Sequence, residues 1–211
     1  MRLSGGERSG QRVAAPKGKK TRPTPARVRE ALFAVLGKRV EEARVLDLFA
    51  GSGALGFEAM SRGAGSVVFV DNDAAAVMSI RRNAVRLLSD PHRWRVVPMS
   101  AARALRMLRG TFDVVLVDPP YQRGATEELA LIVQRGLLAQ GGMVVWEHPS
   151  GAPNQLPASM RIIKEAKYGD TSLTFATTRS DGRLRPEERE EDDVAAVSSA
   201  RNSSHARTAR K

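Results

Sequence analysis

No cysteine occurs in the 211 residues, which excludes a disulfide framework and thiolate metal sites. The three histidines, His92, His148 and His205, are scattered without zinc-ligand spacing, so no metal site is expected. Aromatic residues make up only 5% of the chain, which points to a core of Val, Leu, Ala and Ile rather than of stacked rings. Long apolar runs are also missing: none approaches the ~20 residues that a membrane helix requires. The N-terminus is basic and Gly-rich, without the apolar stretch of a secretory signal. These absences lead to the expectation of a soluble, cytoplasmic protein without membrane association, most simply a monomer. The length suits one full-sized domain plus an appendage.

Positive charge is abundant and unevenly placed. The net charge is +11. Residues 1–29 hold nine Lys or Arg against the single acid Glu7, and residues 81–109 hold eight Arg against Asp90 alone. The rest is slightly acidic. Two basic patches on such a body are the footprint of a polyanionic partner, with a merely solvated basic face as the alternative.

Along the chain, the first sixteen residues alternate weakly and turn at Glu7–Gly10, suggesting a Gly-rich β-hairpin or arm. Including the basic connector that follows, this arm is placed at 1–23. Thr24-Pro25 reads as the start of a helix in which Val28, Leu32, Val35 and Leu36 recur at helical spacing until Gly37. From Arg44 onward short β-branched runs alternate with helical patterns, the signature of βαβ units and a parallel sheet covered on both faces. Strands are expected near 44–49, 66–71, 94–98, 112–118, 142–147, 160–167 and 171–177. Helices are expected near 54–62, 73–88, 101–108 and 125–138. A short Tyr168-Gly169-Asp170 turn makes the last two strands an antiparallel hairpin. The fold class is therefore α/β, a mostly parallel seven-stranded sheet over 24–178. Residues 179–211 lack periodicity and are expected to be disordered.

The segment Val45-Leu46-Asp47-Leu48-Phe49-Ala50-Gly51-Ser52-Gly53-Ala54-Leu55-Gly56 runs from a strand through a glycine turn into a helix. Gly51 and Gly53 let the backbone approach a ligand, and the helix start offers free N–H groups. Taken alone the pattern also describes a dinucleotide site. Asp71, at the end of the second strand and followed by Asn72, is placed to accept hydrogen bonds from adenosine ribose hydroxyls, while Asp73 reads as a helix cap. Asp47 separates the two ligand classes: a carboxylate there would oppose a pyrophosphate but suits the ammonium of a methionine moiety. S-adenosylmethionine is the expected cofactor, held by Asp47, Gly51, Gly53 and Asp71 with the adjoining Ala50 and Asn72. Ser100, after the third strand, is the candidate for the adenine amino group.

Asp118-Pro119-Pro120-Tyr121 lies at the carboxyl end of the fourth strand, on the rim where open α/β sheets bind ligands. An exocyclic amine is a poor nucleophile because its lone pair is delocalised. It improves when acceptors hold its N–H bonds and take up the charge that develops during attack on a methyl group. Asp118 and the Pro119 carbonyl are candidate acceptors, the prolines stiffen the loop, and Tyr121 offers a face on which a base can stack. The motif reports an amino group and not its owner: a DNA adenine or a protein glutamine remains open beside an RNA base. A non-catalytic RNA-binding protein on a vestigial cofactor fold is the reading from another class.

These residues resemble the RsmD-type 16S rRNA guanine-N2 methyltransferases over about residues 2–178. Besides the two motifs above, Arg22-Pro23-Thr24, Arg27-Val28-Arg29-Glu30-Ala31-Leu32-Phe33, Glu58-Ala59, Ser61-Arg62-Gly63-Ala64, Asn83 and Tyr168-Gly169-Asp170-Thr171 match that pattern. The resemblance implies a Rossmann-like methyltransferase with an N-terminal β-hairpin that grips rRNA. The partner would be 16S rRNA or the small ribosomal subunit, and the product N2-methylguanine. It assigns Phe49 and Ser52, with Asp47, Gly51, Gly53 and Asp71, to the cofactor, and Asp118, Pro119 and Tyr121 to the target guanine. With the basic arm, it makes Arg2, Arg8, Arg12, Lys19, Arg22 and Arg27 the expected RNA contacts. The chain departs from the pattern at Ala34, where Asn is common, and at Gln11, where a basic residue is frequent.

Overall fold

The structure, a computed structural model, describes residues 1–16, 25–120, 123–153 and 156–179. Within the unit Met1–Thr178, seven strands form one sheet: β1 (Arg44–Leu48), β2 (Ser66–Asp71), β3 (Trp94–Pro98), β4 (Phe112–Val117), β5 (Leu138–Pro149), β6 (Met160–Tyr168) and β7 (Thr171–Thr178). Their order is β3-β2-β1-β4-β5-β7-β6. The first five pair in parallel, and β7 joins β5 and β6 antiparallel. This is the expected architecture, including the closing hairpin, whose turn places Gly169 at φ 63°.

The central strands are buried on both faces, so they read as continuous apolar runs rather than as alternation. Val45, Val67, Phe69, Val114, Leu116, Met143 and Val145 pack on one side against α1 (Ala26–Leu36), α2 (Ala54–Ser61) and α3 (Ala74–Leu87). Leu46, Leu48, Val68, Val70, Val115, Val117, Val144 and Trp146 pack on the other against α4 (Ala101–Met107) and α5 (Thr126–Gln134). Every second residue thus faces the same layer, which fixes the face to which each strand end delivers its side chains.

Two boundaries differ from the sequence expectation. The fifth helix stops at Gln134 rather than near 138, because Gly136 takes φ 59° and the Leu137 carbonyl turns to accept the Phe112 N–H at 2.8 Å. As a result, β5 begins at Leu138, and its register with β4 shifts between Phe112 and Val114. Helix α1 begins at Ala26 with Pro25 as its N-cap residue; the expected Thr24 start lies outside the described residues.

The arm is held to the domain by polar groups. Arg2 and Arg12 form an antiparallel bridge, and Leu3 and Val13 are buried in the core. The Ser4 N–H and hydroxyl donate to the Glu58 carboxylate at 2.9 and 2.7 Å. Arg29 and Arg62 pair with the same carboxylate at 3.3 and 2.9 Å. Burial works against the Glu58 charge, but the hydrogen bonds from Ser4 and Arg62 outweigh it and hold the carboxyl below its ordinary range. On the other side of the arm, Asn83 accepts from the Ala14 N–H at 3.0 Å and donates to the Ala14 carbonyl at 2.9 Å. It also donates to the Ser52 carbonyl at 3.3 Å, so one buried amide ties the arm to the glycine loop.

Candidate active site

The carboxyl ends of β2, β1, β4 and β5 open into a cleft of about 530 Å³ lined by residues that include Asp47, Phe49, Gly51, Asp71, Asn72, Asp118, Pro119 and Glu147. This volume is in the range of small-molecule cofactor sites. Met1, Ala15, Pro16 and Pro25 also line it, so the arm forms part of its wall.

The glycine loop is shaped by contacts that leave no room for side chains at Gly53 and Gly56. Gly53 sits at φ 79°, and a Cβ there would lie 2.6 Å from the Phe57 ring and 3.2 Å from that of Phe69. A Cβ on Gly56 would meet Phe69 at 2.3 Å and Val67 at 2.9 Å, so α2 packs directly on β2. Gly51, at φ 56°, is less crowded, with the Phe49 carbonyl oxygen 3.9 Å from its Cβ position, so a ligand can approach the backbone there. Phe49 adopts φ 62°, a strained conformation for a non-glycine residue that is maintained only by its surroundings.

Carboxylates hold this loop in place. Asp71 accepts from the Gly51 N–H at 2.7 Å and from the Asp73 N–H at 2.8 Å. Its loop-fixing role was not anticipated from sequence; the remaining lone pairs on its oxygens still leave it able to accept from ribose hydroxyls. Asp73 caps α3 by accepting from the Ala75 and Ala76 N–H groups, as expected. Asp47 is buried and accepts from the Gly56 N–H at 2.9 Å. Desolvation above all, with the nearby charges of Asp118 and Asp71, pushes its pKa up to about 8 against that hydrogen bond. Although several carboxylates line the cleft, no three acidic or histidine side chains among the described residues are arranged to hold a metal.

At the acceptor side Asp118 is half-buried, Pro119 buried and Pro120 exposed. The Pro120 carbonyl accepts from the Arg123 N–H at 2.8 Å. The Arg123 guanidinium pairs with the buried Glu128 at 2.7 Å and lies 5.3 Å from the Phe49 ring centroid. One arginine therefore connects the Asp-Pro-Pro loop, α5 and the glycine loop.

Sequence similarity agrees with this geometry. A family model described as conserved hypothetical protein 95 matches residues 1–177. The chain belongs to that family, the RsmD family. Among its relatives is the Escherichia coli K12 protein named ribosomal RNA small subunit methyltransferase D, 33% identical over 185 residues, with 86% of this chain and 92% of the relative covered. YlbH of Bacillus subtilis, named as a candidate rRNA methyltransferase, is 38% identical, covering 85% of this chain and all of the relative. The solved structure of the Escherichia coli candidate methyltransferase yhhF superposes with a TM-score of 0.76 at 31% identity, covering 85% of this chain and 98% of that one. The Rossmann-like methyltransferase fold of the RsmD family is thus the fold of this chain.

Not every residue expected at the site is among the described residues that line the cleft. Ser100 is exposed at the start of α4 and is not among the described residues that line the cleft. Tyr121, Lys19 and Arg22 lie outside the described residues. Of the expected RNA contacts, Arg2, Arg12 and Arg27 are exposed, whereas Arg8 is half-buried and donates to the Leu87 carbonyl at 2.8 Å. Sequence reasoning missed Glu147 in the cleft. It ends an expected strand and shares the parity of Met143 and Val145, and that parity was the available signal.

Proposed function

We propose that this RsmD-family chain transfers the methyl group of S-adenosylmethionine to the exocyclic N2 amine of a guanine in small-subunit rRNA. The observation that carries the reading is the placement of Asp-Pro-Pro at the end of β4, directly beside the glycine loop on β1 and within one cleft. A methyl donor and an amine acceptor are thereby brought to adjacent strand ends. The names of the relatives supply the rRNA.

The cleft fits the cofactor. Gly51 leaves backbone open to a ligand, and the buried Asp47, kept largely neutral by desolvation, would regain its charge beside a ligand ammonium. When bound, S-adenosylmethionine supplies an electrophilic methyl on a sulfonium. Asp71 would hold the ribose while fixing the loop, and Phe49 with Gly51–Gly53 would enclose the donor. Asp118 would accept one N–H of the target amine, and its carboxylate would meet the positive charge that develops on that nitrogen. Pro119, buried behind it, keeps that acceptor aligned.

The basic face that would meet RNA is narrower than the sequence patches. Arg93 donates to the Ala64 and Gly65 carbonyls, Arg106 pairs with Glu127 and Arg86 donates to the Arg12 carbonyl of the arm, while Arg81 and Arg82 are exposed along α3. The arm and α3 together form the surface on which phosphates would lie.

Mass spectrometry of small-subunit rRNA from a deletion strain tests the proposal. One N2-methylguanine should disappear and return on complementation. An unchanged N2-methylguanine content would refute the acceptor.

A further inference from the structure

The pairs Leu48–Val70, Leu48–Val117 and Val117–Trp146 fix the register at the rim. Continued by one residue, that register sets Asp71, Phe49, Asp118 and Glu147 side by side on β2, β1, β4 and β5, with neighbouring strands about 4.8 Å apart. Strand parity assigns Asp118 to the face of Val114 and Leu116, and Glu147 to the face of Met143 and Val145, which is one and the same layer. Both line the cleft, and Glu147 is half-buried between the buried Trp146 and His148. Glu147 stands one strand beyond Asp118, on the side away from the glycine loop. A group there meets the acceptor and not the methyl donor.

We infer that Glu147 is the residue that reads the acceptor base as guanine; this rests on the guanine reading above. Guanine is the base whose Watson–Crick edge presents two adjacent donors, N1–H and N2–H. A carboxylate offers two acceptor oxygens and no donor, so it takes both. The second N2–H is then left for Asp118, and both hydrogens of the reactive amine are held. Adenine and cytosine carry a ring-nitrogen lone pair beside their amine. In their case that lone pair would face a carboxylate oxygen, leaving two buried acceptors opposed with no proton between them, and such sites reject the wrong ligand strongly.

The test uses 2-aminopurine, which keeps the 2-amine but has a lone pair instead of a proton at N1. Small-subunit rRNA carrying either guanine or 2-aminopurine at the mapped target is assayed, free and in reconstituted particles, with wild type and Glu147→Gln. Wild type is expected to prefer guanine by at least about 100-fold in kcat/KM. In Glu147→Gln the amide can donate to N1 while its oxygen accepts from the amine, so the preference should collapse or invert. S-adenosylhomocysteine affinity should stay within about threefold, because Glu147 lies on the acceptor side. Equal use of both bases by wild type, or an unchanged preference in Glu147→Gln, would overturn the assignment. Failure of the underlying reading is distinguishable: wild type would then leave no N2-methylguanine in the guanine substrate, and both proposals would fall together.

Discussion

At the β1–β2 end of the cleft the carboxylates are bonded to the loop they serve, Asp47 to the Gly56 N–H and Asp71 to those of Gly51 and Asp73. At the β4–β5 end the loop is fixed differently, by two prolines and by Arg123, whose N–H donates to the Pro120 carbonyl and whose guanidinium pairs with Glu128 on α5. The same side-chain chemistry therefore has two uses on one sheet face. Near the glycines a carboxylate shapes backbone; on the proposed function it would also meet a ligand cation there, and the one near the prolines would meet an incoming amine. The first end should fail in binding and the second in turnover.

The largest effect is expected at Gly53. Gly53→Ala forces a Cβ into the Phe57 ring at a positive φ, which costs about 1–2 kcal/mol in backbone strain alone and displaces the loop. Calorimetry should show S-adenosylhomocysteine affinity falling by at least about tenfold, with turnover falling in proportion; intact binding would break the contrast between the two ends.

Asp47 gives a pH signature peculiar to the binding end. Its folded pKa of about 8 lies above the ordinary carboxylate value, so between about pH 4 and 8 the unfolded chain has released a proton that the folded chain keeps. Stability without ligand is therefore full below about pH 4, falls as pH rises to about 8 and then levels, by up to about 1.4 kcal/mol per unit. Asp47→Asn should flatten this slope in melts across that range. If the cofactor ammonium sits beside Asp47, binding expels the proton, so wild-type affinity should rise between pH 6 and 8 and that of Asp47→Asn should not. A flat wild-type profile would remove the ammonium from Asp47.

The smallest effect concerns the surface outside the cleft. Arg81→Ala with Arg82→Ala should leave stability within about 0.5 kcal/mol. The salt dependence of RNA binding should weaken by about one counterion per lost phosphate contact. An unchanged salt slope would remove α3 from the RNA face.

Much of this organisation was legible in the sequence because buried parallel strands and their glycine punctuation are strong local signals. The succession of strands and helices and the closing hairpin, with Asp47 inside β1 and Asp71 and Asp118 at strand ends, followed from that pattern, whereas the spatial order of the strands did not. The α5–β5 boundary did not, because 125–138 reads as one helix, and it is the positive φ at Gly136 that ends α5 and lets β5 begin at Leu138. Nor could counting charges distinguish arginines that face solvent from those that hold the chain together. Arg29 is buried against Glu58, and Arg8 and Arg93 are committed to backbone carbonyls. Those partners lie 28 to 79 residues away, beyond any local pattern. Asn83 matched the family pattern without an evident role, and its bonds to Ala14 and Ser52 supply one.

The division of the cleft is tested most directly by Asp118→Asn, an isosteric change, with S-adenosylhomocysteine calorimetry and methyl transfer to small-subunit rRNA measured on the same preparation. The account predicts cofactor affinity within about threefold of wild type and turnover reduced by about 10²–10³. Wild-type turnover, or loss of cofactor binding in step with activity, would contradict it.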